Sequence, residues 1–227
     1  SMFGVLTPLL ARPLSDGSLE IISGHRRARA AEAAGLSEVP VIVRKMTDDE
    51  AVVLMVDSNL QRENILPSER AFAYKMKAEA LEHKGFRTDL TSVQLAPRLA
   101  TEQIAEDVGT SKDTIKRYIR LTNLIPEILQ YVDDGRISFT PAVELSYLNE
   151  QEQQDLLEQI EQNDCTPSLS QACRFKKISQ GEGLTPEVIA EIMEEEKANQ
   201  REMFKVPIER IRQYVPNANA KQAEDFV

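Results

Sequence analysis

Residues 99–121, LATEQIAEDVGTSKDTIKRYIRL, read as two short helices joined by a glycine turn. Ala105, Gly109 and Ile115 stand where a helix-turn-helix needs a small residue, a left-handed turn residue and a buried β-branched residue. Three further apolar residues complete the packing face, namely Ile104, Val108 and Tyr118. The pattern predicts that the two helices cross at a steep angle, because the small residue lets them approach closely.

The second of these helices, predicted over 112–121, is basic. It contains four basic residues and one acidic residue, which gives a local charge of +3. We predict that six side chains face outward and contact phosphates and base edges. They are Ser111, Lys112, Thr114, Lys116, Arg117 and Arg120. An Ala-x-x-x-Gly corner also occurs in ordinary helix pairs, but six agreeing positions and a basic face favour DNA binding.

Length and composition indicate more than one structural unit. The chain has 227 residues, whereas a typical single domain has about 150. Its two cysteines, Cys165 and Cys173, lack metal-ligand spacing and are expected to be reduced thiols. No apolar run approaches the roughly 18 residues that a membrane-spanning helix needs, and no export signal is recognisable. We therefore expect a cytoplasmic protein that does not bind membranes.

The negative charge of the chain is unevenly placed. The formal net charge is −10, yet the segment from Glu144 to Asp164 alone carries seven acidic residues and no basic ones. This segment is predicted to form an amphipathic helix with an acidic outer face. Because the local field decides which face meets DNA, the overall charge does not contradict DNA binding.

The N-terminal sequence reads as a small sheet with an arginine-rich helix. Apolar runs at 3–13, 19–22 and 39–43 predict strands. Gly24 follows the second run and opens an alanine-rich helix with Arg26 and Arg27 on its first turn. Free backbone N–H groups and guanidinium groups at such a helix start favour an anion site. A solvated arginine face or a set of salt bridges is the alternative interpretation.

Other helices follow from cap signals and apolar spacing. Thr47 begins a capping box, and Pro67 begins a long helix to about Lys84. The segment 85–98, GFRTDLTSVQLAPR, is predicted to be an inserted surface loop, and a wider DNA contact through Arg87 and Arg98 is the alternative. Further helices are predicted at 125–133, 168–177 and 187–203.

Four blocks in this order resemble the ParB family of plasmid and chromosome partition proteins. They are GHRRARAAEAAG at 24–35, VPVIVRKMTDDEA at 39–51, SNLQRENILPSERAFAYK at 58–75, and the helix-turn-helix. The resemblance extends from about Phe3 to Leu148. It implies an α+β fold with a small mixed-sheet nucleotide-binding domain, a mostly α-helical helix-turn-helix domain and a short helical tail. We expect these units at 1–66 (truncated at its start), 67–180 and 181–227, the last being a candidate part of a dimerisation region.

In the ParB family two of these blocks hold the triphosphate of CTP. The resemblance implies nucleotide-binding roles for Thr7, Pro8, Gly24, Arg26, Arg27, Asn59 and Arg62. The glycine and the arginines would contact phosphates, the Thr-Pro pair would lie on the cytosine side, and Asn59 would lie near a magnesium ion. CTP and Mg²⁺ are thus the cofactors that the resemblance implies.

Two departures from the family pattern concern CTP turnover. Family glutamates correspond to His25 and Ser58 here, and Mg²⁺ prefers hard oxygen ligands. Asp57 and Glu63, each one position away from a block residue, are alternative carboxylates. CTP binding is therefore expected to survive better than hydrolysis, with weak CTP hydrolysis left open. No catalytic residue is assigned, and His25 is better explained as a neutral residue at a helix start.

Three functions remain at this point. The first is a dimeric partition protein that binds a palindromic centromere-like site in double-stranded DNA, uses CTP to form a sliding clamp on the plasmid or nucleoid, and partners a ParA-type ATPase. The second is a transcriptional regulator of the same architecture with little or no nucleotide turnover. The third is a nuclease or kinase of related fold, which is disfavoured because no Ser-His-Asp set, phosphate-binding loop or paired carboxylate site is recognisable.

Overall fold

The structure, a computed structural model, describes residues 5–62, 64–88, 96–181 and 183–195, the side chains of 84–88 and 96–98 excepted. Within these residues the chain is α+β, as predicted. The strands are β1 (Leu9–Pro13), β2 (Leu19–Ser23) and β3 (Val41–Val43). The helices are α1 (His25–Ala33), α2 (Asp48–Leu60), α3 (Pro67–Thr88), α4 (Ala96–Val108), α5 (Lys112–Leu121), α6 (Pro126–Asp133), α7 (Phe139–Leu145), α8 (Glu150–Asn163), α9 (Leu169–Ser179) and α10 (Pro186–Glu194). None of the described helices is long and apolar enough to span a membrane.

The described strands form a small mixed sheet in the order β2-β1-β3. β1 is antiparallel to β2 and parallel to β3. Leu9 and Ala11 of the central strand are buried, since alternate side chains of a strand point to the same face. The chain leaves the edge strand β2 through Gly24 and enters α1 directly, so α1 starts at the end of β2.

Helix starts are fixed by local hydrogen bonds. Thr47 and Glu50 form a capping box at α2, and equivalent boxes begin α8 at Asn149 and α9 at Ser168. α3 is anchored from a distance, because the Ser68 amide and hydroxyl donate to the two carboxylate oxygens of Asp133 in α6, at 2.9 and 2.5 Å. These hydrogen bonds fix the start of α3 against the end of α6.

Two apolar clusters hold the helical part together. The larger one runs through α5 to α10 and includes the fully buried Leu121, Ile128 and Phe175. The smaller one joins α3 to the helix-turn-helix and consists of Tyr74, Ala78, Ile104, Ala105 and Ile115. The predicted packing role of Ile104, Ala105 and Ile115 is therefore confirmed, and Tyr118 packs against both clusters.

Two neighbouring polar side chains of α8 are buried within the larger cluster. The Glu152 carboxylate accepts hydrogen bonds from the Asn149 amide, the Leu184 amide and the Ser179 hydroxyl, at 2.7–3.1 Å. The Gln153 amide group donates to two backbone carbonyls and accepts from the Ile125 amide, at 2.8–3.0 Å. Because buried polar groups are costly unless paired, these bonds fix where the loops before α6 and α10 lie.

Four predictions about helices and strands need correction. The acidic segment 144–164 is not one helix, because α7 ends at Leu145 and the Asn149 capping box starts α8. Both ends of the predicted loop at 85–98 are helical, and 89–95 lie outside the described residues. The first strand covers only Leu9–Pro13 of the predicted 3–13, and residues 1–4 are not described. α10 ends at Glu194, whereas a helix to Met203 was predicted, and residues from 196 onward lie outside the described range.

Candidate nucleotide and DNA sites

Gly24 shapes the start of α1. Its φ of 106° lies in the left-handed region, and it precedes the helix without any side-chain cap. A Cβ at this position would meet Leu9 Cδ2 at 2.5 Å and Arg27 Nη2 at 3.2 Å, so only glycine fits without movement. The first turn of α1 contains no acidic residue. Its leading backbone N–H groups and the positive end of the helix dipole are therefore available to an anion.

Arg27 connects the start of α1 to the segment before β1. Its Nη1 donates to the Thr7 carbonyl at 2.5 Å and to the Pro8 carbonyl at 2.8 Å. Four of the predicted nucleotide-site positions, Thr7, Pro8, Gly24 and Arg27, are thus brought together. Arg26 is exposed next to them, and His25 is exposed at the first position of the helix.

The end of α2 contacts the same region through Ser58. The Ser58 and Ser23 hydroxyls are 2.7 Å apart, which places the last turn of α2 beside the residue that precedes Gly24. Asn59 is the next residue of α2, and Arg62 lies in the turn after the helix. Both are exposed, and the Arg62 amide donates to the Asn59 carbonyl at 3.2 Å. Both also line an apolar groove between α2 and α3 with Met55, Phe72 and Met76.

The oxygen ligands near Asn59 suit a cation carried by phosphates better than one held by protein alone. Ser58 is engaged by Ser23, and Asp57, which sequence analysis offered as an alternative ligand, is engaged by Lys77 at 2.6 Å. Glu63, the other alternative, lies outside the described residues. No group of three or more His, Cys, Asp or Glu side chains suited to a metal occurs in the described part of the chain. Mg²⁺ commonly binds through one or two protein ligands plus substrate phosphates, so the amide of Asn59 fits that kind of contact.

The helix-turn-helix is formed by α4 and α5, whose bounds confirm the predicted second helix. Gly109 makes the turn with φ of 67°, and the Ser111 hydroxyl accepts from the Thr114 amide at 3.1 Å to cap α5. Lys116 is exposed on this helix. Lys112 is half-buried and lies 3.3 Å from Glu102 of α4. The prediction that Val108 belongs to the apolar packing face is wrong. Val108 is 39% exposed, because α4 ends there and the chain turns away.

Arg117 and Arg120 were predicted to face outward, but both are half-buried against α7 and the residues that follow it. Arg117 donates to the Thr140 hydroxyl at 2.9 Å, and its guanidinium lies 5.0 Å from the Phe139 ring. Arg120 donates to the Ser146 carbonyl at 3.0 Å and stacks 4.0 Å above the Tyr147 ring, which also carries Lys176 at 3.7 Å. Sequence spacing could not show this, because the partners lie 23 to 26 residues further along the chain.

A buried lysine of α3 joins this helix to α2 and α4. Lys77 in α3 is 1% exposed, and its ammonium contacts Asp57 of α2 at 2.6 Å and Asp107 of α4 at 2.7 Å. Burial acts to lower the pKa of Lys77, but the hydrogen bonds to Asp107 and Asp57 outweigh it, so the pKa is raised above its ordinary value. Lys77 is not among the residues predicted from the sequence. Its signal is a lysine placed within the apolar stripe of α3, next to Ala78 and three residues after Tyr74.

Two models of known protein families match this chain. Residues 1–60 match the ParB N-terminal domain, and residues 88–168 match the ParB HTH domain. The first match covers the sheet, α1 and α2 with the Gly24 turn, and the second covers the helix-turn-helix and α6 to α8.

Similar proteins are chromosome-partitioning proteins. The chain is 40% identical over 135 residues to the chromosome-partitioning protein Spo0J of Thermus thermophilus and 39% identical over 139 residues to the probable chromosome 1-partitioning protein ParB of Deinococcus radiodurans. These alignments cover 60% and 61% of this chain but 44% and 42% of the relatives, so the chain spans less than half of their length. A solved structure of C-terminally truncated ParB from Caulobacter crescentus, complexed to the centromeric parS site, is 25% identical with a TM-score of 0.44 and coverage of 83% and 82% of the two chains.

Proposed function

Because this chain belongs to the ParB family, we propose that it is a sequence-specific DNA-binding partition protein. A homodimer binds a palindromic, centromere-like site through α5, takes CTP at the start of α1 and closes as a clamp that slides along DNA. The clamp serves segregation of a plasmid or chromosome. Its expected partner is a ParA-type ATPase, and its place is the cytoplasm, on the nucleoid or on a plasmid.

The observation that carries the DNA-binding part is the capped, basic helix α5. It begins directly after a glycine turn, as a recognition helix does, and its first turns carry Ser111, Lys112, Thr114 and Lys116. Hydroxyl and ammonium groups at the start of such a helix suit contacts with phosphates and base edges. The acidic helix α8 is a separate element, which supports α5 as the face that meets DNA.

The start of α1 supports the nucleotide-binding part. The uncapped N–H groups after Gly24 and the guanidinium of Arg26 provide the charge-assisted donors that phosphate oxygens accept. Arg27 donates from Nη1 to the Thr7 and Pro8 carbonyls and so fixes the segment proposed for the cytosine side. A bound triphosphate would supply most of the oxygen ligands for Mg²⁺, with Asn59 as the proposed protein contact.

A second candidate is a transcriptional regulator of ParB architecture with little or no CTP turnover. It is favoured by the ligand chemistry, since Ser58 and Asp57 are engaged by Ser23 and Lys77, and His25 stands in place of a family glutamate. These bonds leave few described carboxylates near Asn59 to orient a hydrolytic water. The two candidates share DNA binding and differ in whether CTP changes the state of the protein on DNA.

The test is a titration of labelled CTP against the full chain, with and without specific DNA. Arg26→Ala removes an exposed guanidinium from the proposed phosphate site, so CTP affinity should fall at least tenfold, as expected for a lost charged hydrogen bond worth about 1.5–3 kcal/mol. Arg29→Ala is the matched control, because Arg29 is an exposed arginine of the same helix outside the proposed site. The same titration with Arg27→Ala should show a comparable loss.

The outcomes separate the candidates. Retention of CTP but not ATP, with cross-linking between N-terminal parts that rises only with CTP and specific DNA, supports the clamp. Specific DNA binding that is indifferent to CTP supports the regulator. Equal CTP binding by wild type, Arg26→Ala and Arg29→Ala contradicts the assigned phosphate site, and strand cutting contradicts both candidates.

A further inference from the structure

The start of α7 lies directly against the recognition helix. Arg117 of α5 donates from Nη2 to the Thr140 hydroxyl at 2.9 Å, and the same guanidinium lies over the Phe139 ring at 5.0 Å. A hydrogen bond and a ring contact from adjacent residues therefore hold one arginine. Each restricts a different motion: the bond limits rotation of the planar group, and the ring limits its distance from the helix.

The ring that holds Arg117 is itself fixed. Phe139 packs against Tyr118 with ring centres 4.6 Å apart, and Tyr118 packs edge-on against Tyr74 of α3 at 5.6 Å. The next residues of α7, Pro141 and Ala142, are buried. The ring under Arg117 is thus partly buried and packs against the larger apolar cluster, so its position does not depend on a surface loop.

We propose that Thr140 and Phe139 are positioning residues that present Arg117 to a guanine in the major groove. The inference rests on the proposed DNA-binding function and deepens it. Arginine has five N–H donors, and the bond to Thr140 uses one of them, which leaves a donor pair for guanine O6 and N7. Holding the side chain in place before binding reduces the conformational entropy that ordering it on DNA would cost.

Arg120 provides the contrast. Its guanidinium is committed to the Ser146 carbonyl and the Tyr147 ring, and its Nε is buried without a partner among the described residues. These contacts place Arg120 in the packing between α5 and the turn after α7. Of the two half-buried arginines of α5, Arg117 is therefore the one assigned to base recognition, and Arg120 serves the scaffold.

The test selects binding sites from a randomised DNA duplex library with the full chain. Wild type should enrich a palindromic sequence with guanine at one position of each half-site that depends on Arg117. Thr140→Val should lower the preference for guanine at that position on the order of tenfold, while preferences elsewhere persist. Thr140→Ser, which keeps the hydroxyl, should restore the preference. Arg117→Lys and Phe139→Leu should weaken the same position.

The matched control is Thr122→Val, which removes a threonine hydroxyl that bonds back to the Ile119 carbonyl of α5. It should leave the base preferences unchanged. If Thr140→Val weakens all sequences equally, or changes nothing, the positioning role is overturned although DNA binding stands. If wild type enriches no sequence, the proposed function fails and the inference fails with it. Thermal unfolding of each variant separates lost folding from lost recognition.

Discussion

The ion pairs of Lys77 allow a sharp test of how α3 is joined to α2 and α4. Its side chain is 2% exposed, whereas those of Asp57 and Asp107 are 40% and 46% exposed. Water can therefore hydrate either carboxylate if the lysine is removed, but it cannot reach the ammonium if both carboxylates are removed. The loss in the free energy of unfolding therefore depends on whether the lysine or the carboxylates remain after the substitution.

The magnitudes follow from that asymmetry. Asp57→Asn or Asp107→Asn alone leaves one charged partner and should lower the free energy of unfolding by about 1 kcal/mol. The double variant leaves a buried ammonium without a counter-charge and should cost about 3–5 kcal/mol. Adding Lys77→Met to the double variant should recover most of this loss, because an apolar side chain of similar length needs no counter-charge.

The assay is urea unfolding of the full chain at neutral pH, read by far-ultraviolet circular dichroism. The midpoint should shift little for each single variant, strongly for the double variant and back for the triple variant, with an unchanged slope. An additive double variant, or a triple variant no more stable than the double, would refute the reasoning. Either result would mean that the ammonium remains hydrated in the folded protein.

Three further predictions concern pH, the Gly24 turn and salt. The pKa of Lys77 is raised in the folded state, so the stability that its ion pairs contribute is complete below the ordinary lysine pKa of 10.5 and is lost as the pH rises through the folded-state pKa. The urea midpoints of wild type and of the triple variant (Asp57→Asn, Asp107→Asn, Lys77→Met) should therefore converge at alkaline pH. Gly24→Ala should destabilise the chain by about 1–3 kcal/mol more than Gly17→Ala in thermal unfolding, since both glycines have positive φ but only Gly24 lacks room for a Cβ; equal losses would count against the close approach to Leu9. Lys116→Ala should reduce the slope of log affinity against log salt by about 1 on specific DNA, and an unchanged slope would remove Lys116 from the phosphate contacts.

Local signals predicted the elements whose ends are set within a few residues. The capping hydroxyl of Thr47 and the turn at Gly109 each act on neighbouring residues, so the sequence alone placed the starts of α2 and α5 well. The same kind of signal is present at Asn149, where the capping box with Glu152 starts α8 and divides the acidic segment into two helices. That break was therefore readable from the sequence.

Long-range contacts were not readable in this way. Asp57 looked available to a metal because its partner, Lys77, lies on another helix, and Arg117 and Arg120 looked exposed because their partners lie on and after α7. Charged residues on a helix give the same sequence pattern whether they face solvent or another helix. The sequence therefore supplied candidate residues for the two proposed sites, whereas the hydrogen bonds of those residues required the packing of α3 and α7.

The adjacent Glu152 and Gln153 show how strictly chemistry can distinguish two residues that look interchangeable in an acidic, glutamine-rich helix. The Glu152 side chain contacts only hydrogen-bond donors, whereas the Gln153 side chain contacts two acceptors and one donor. Spontaneous deamidation of Gln153 would add one oxygen and remove one nitrogen, yet it would direct a carboxylate at two carbonyls. Deamidation of this one side chain should thus break the hydrogen bond that Gln153 donates to the loop before α6, although the surface of the protein would scarcely change.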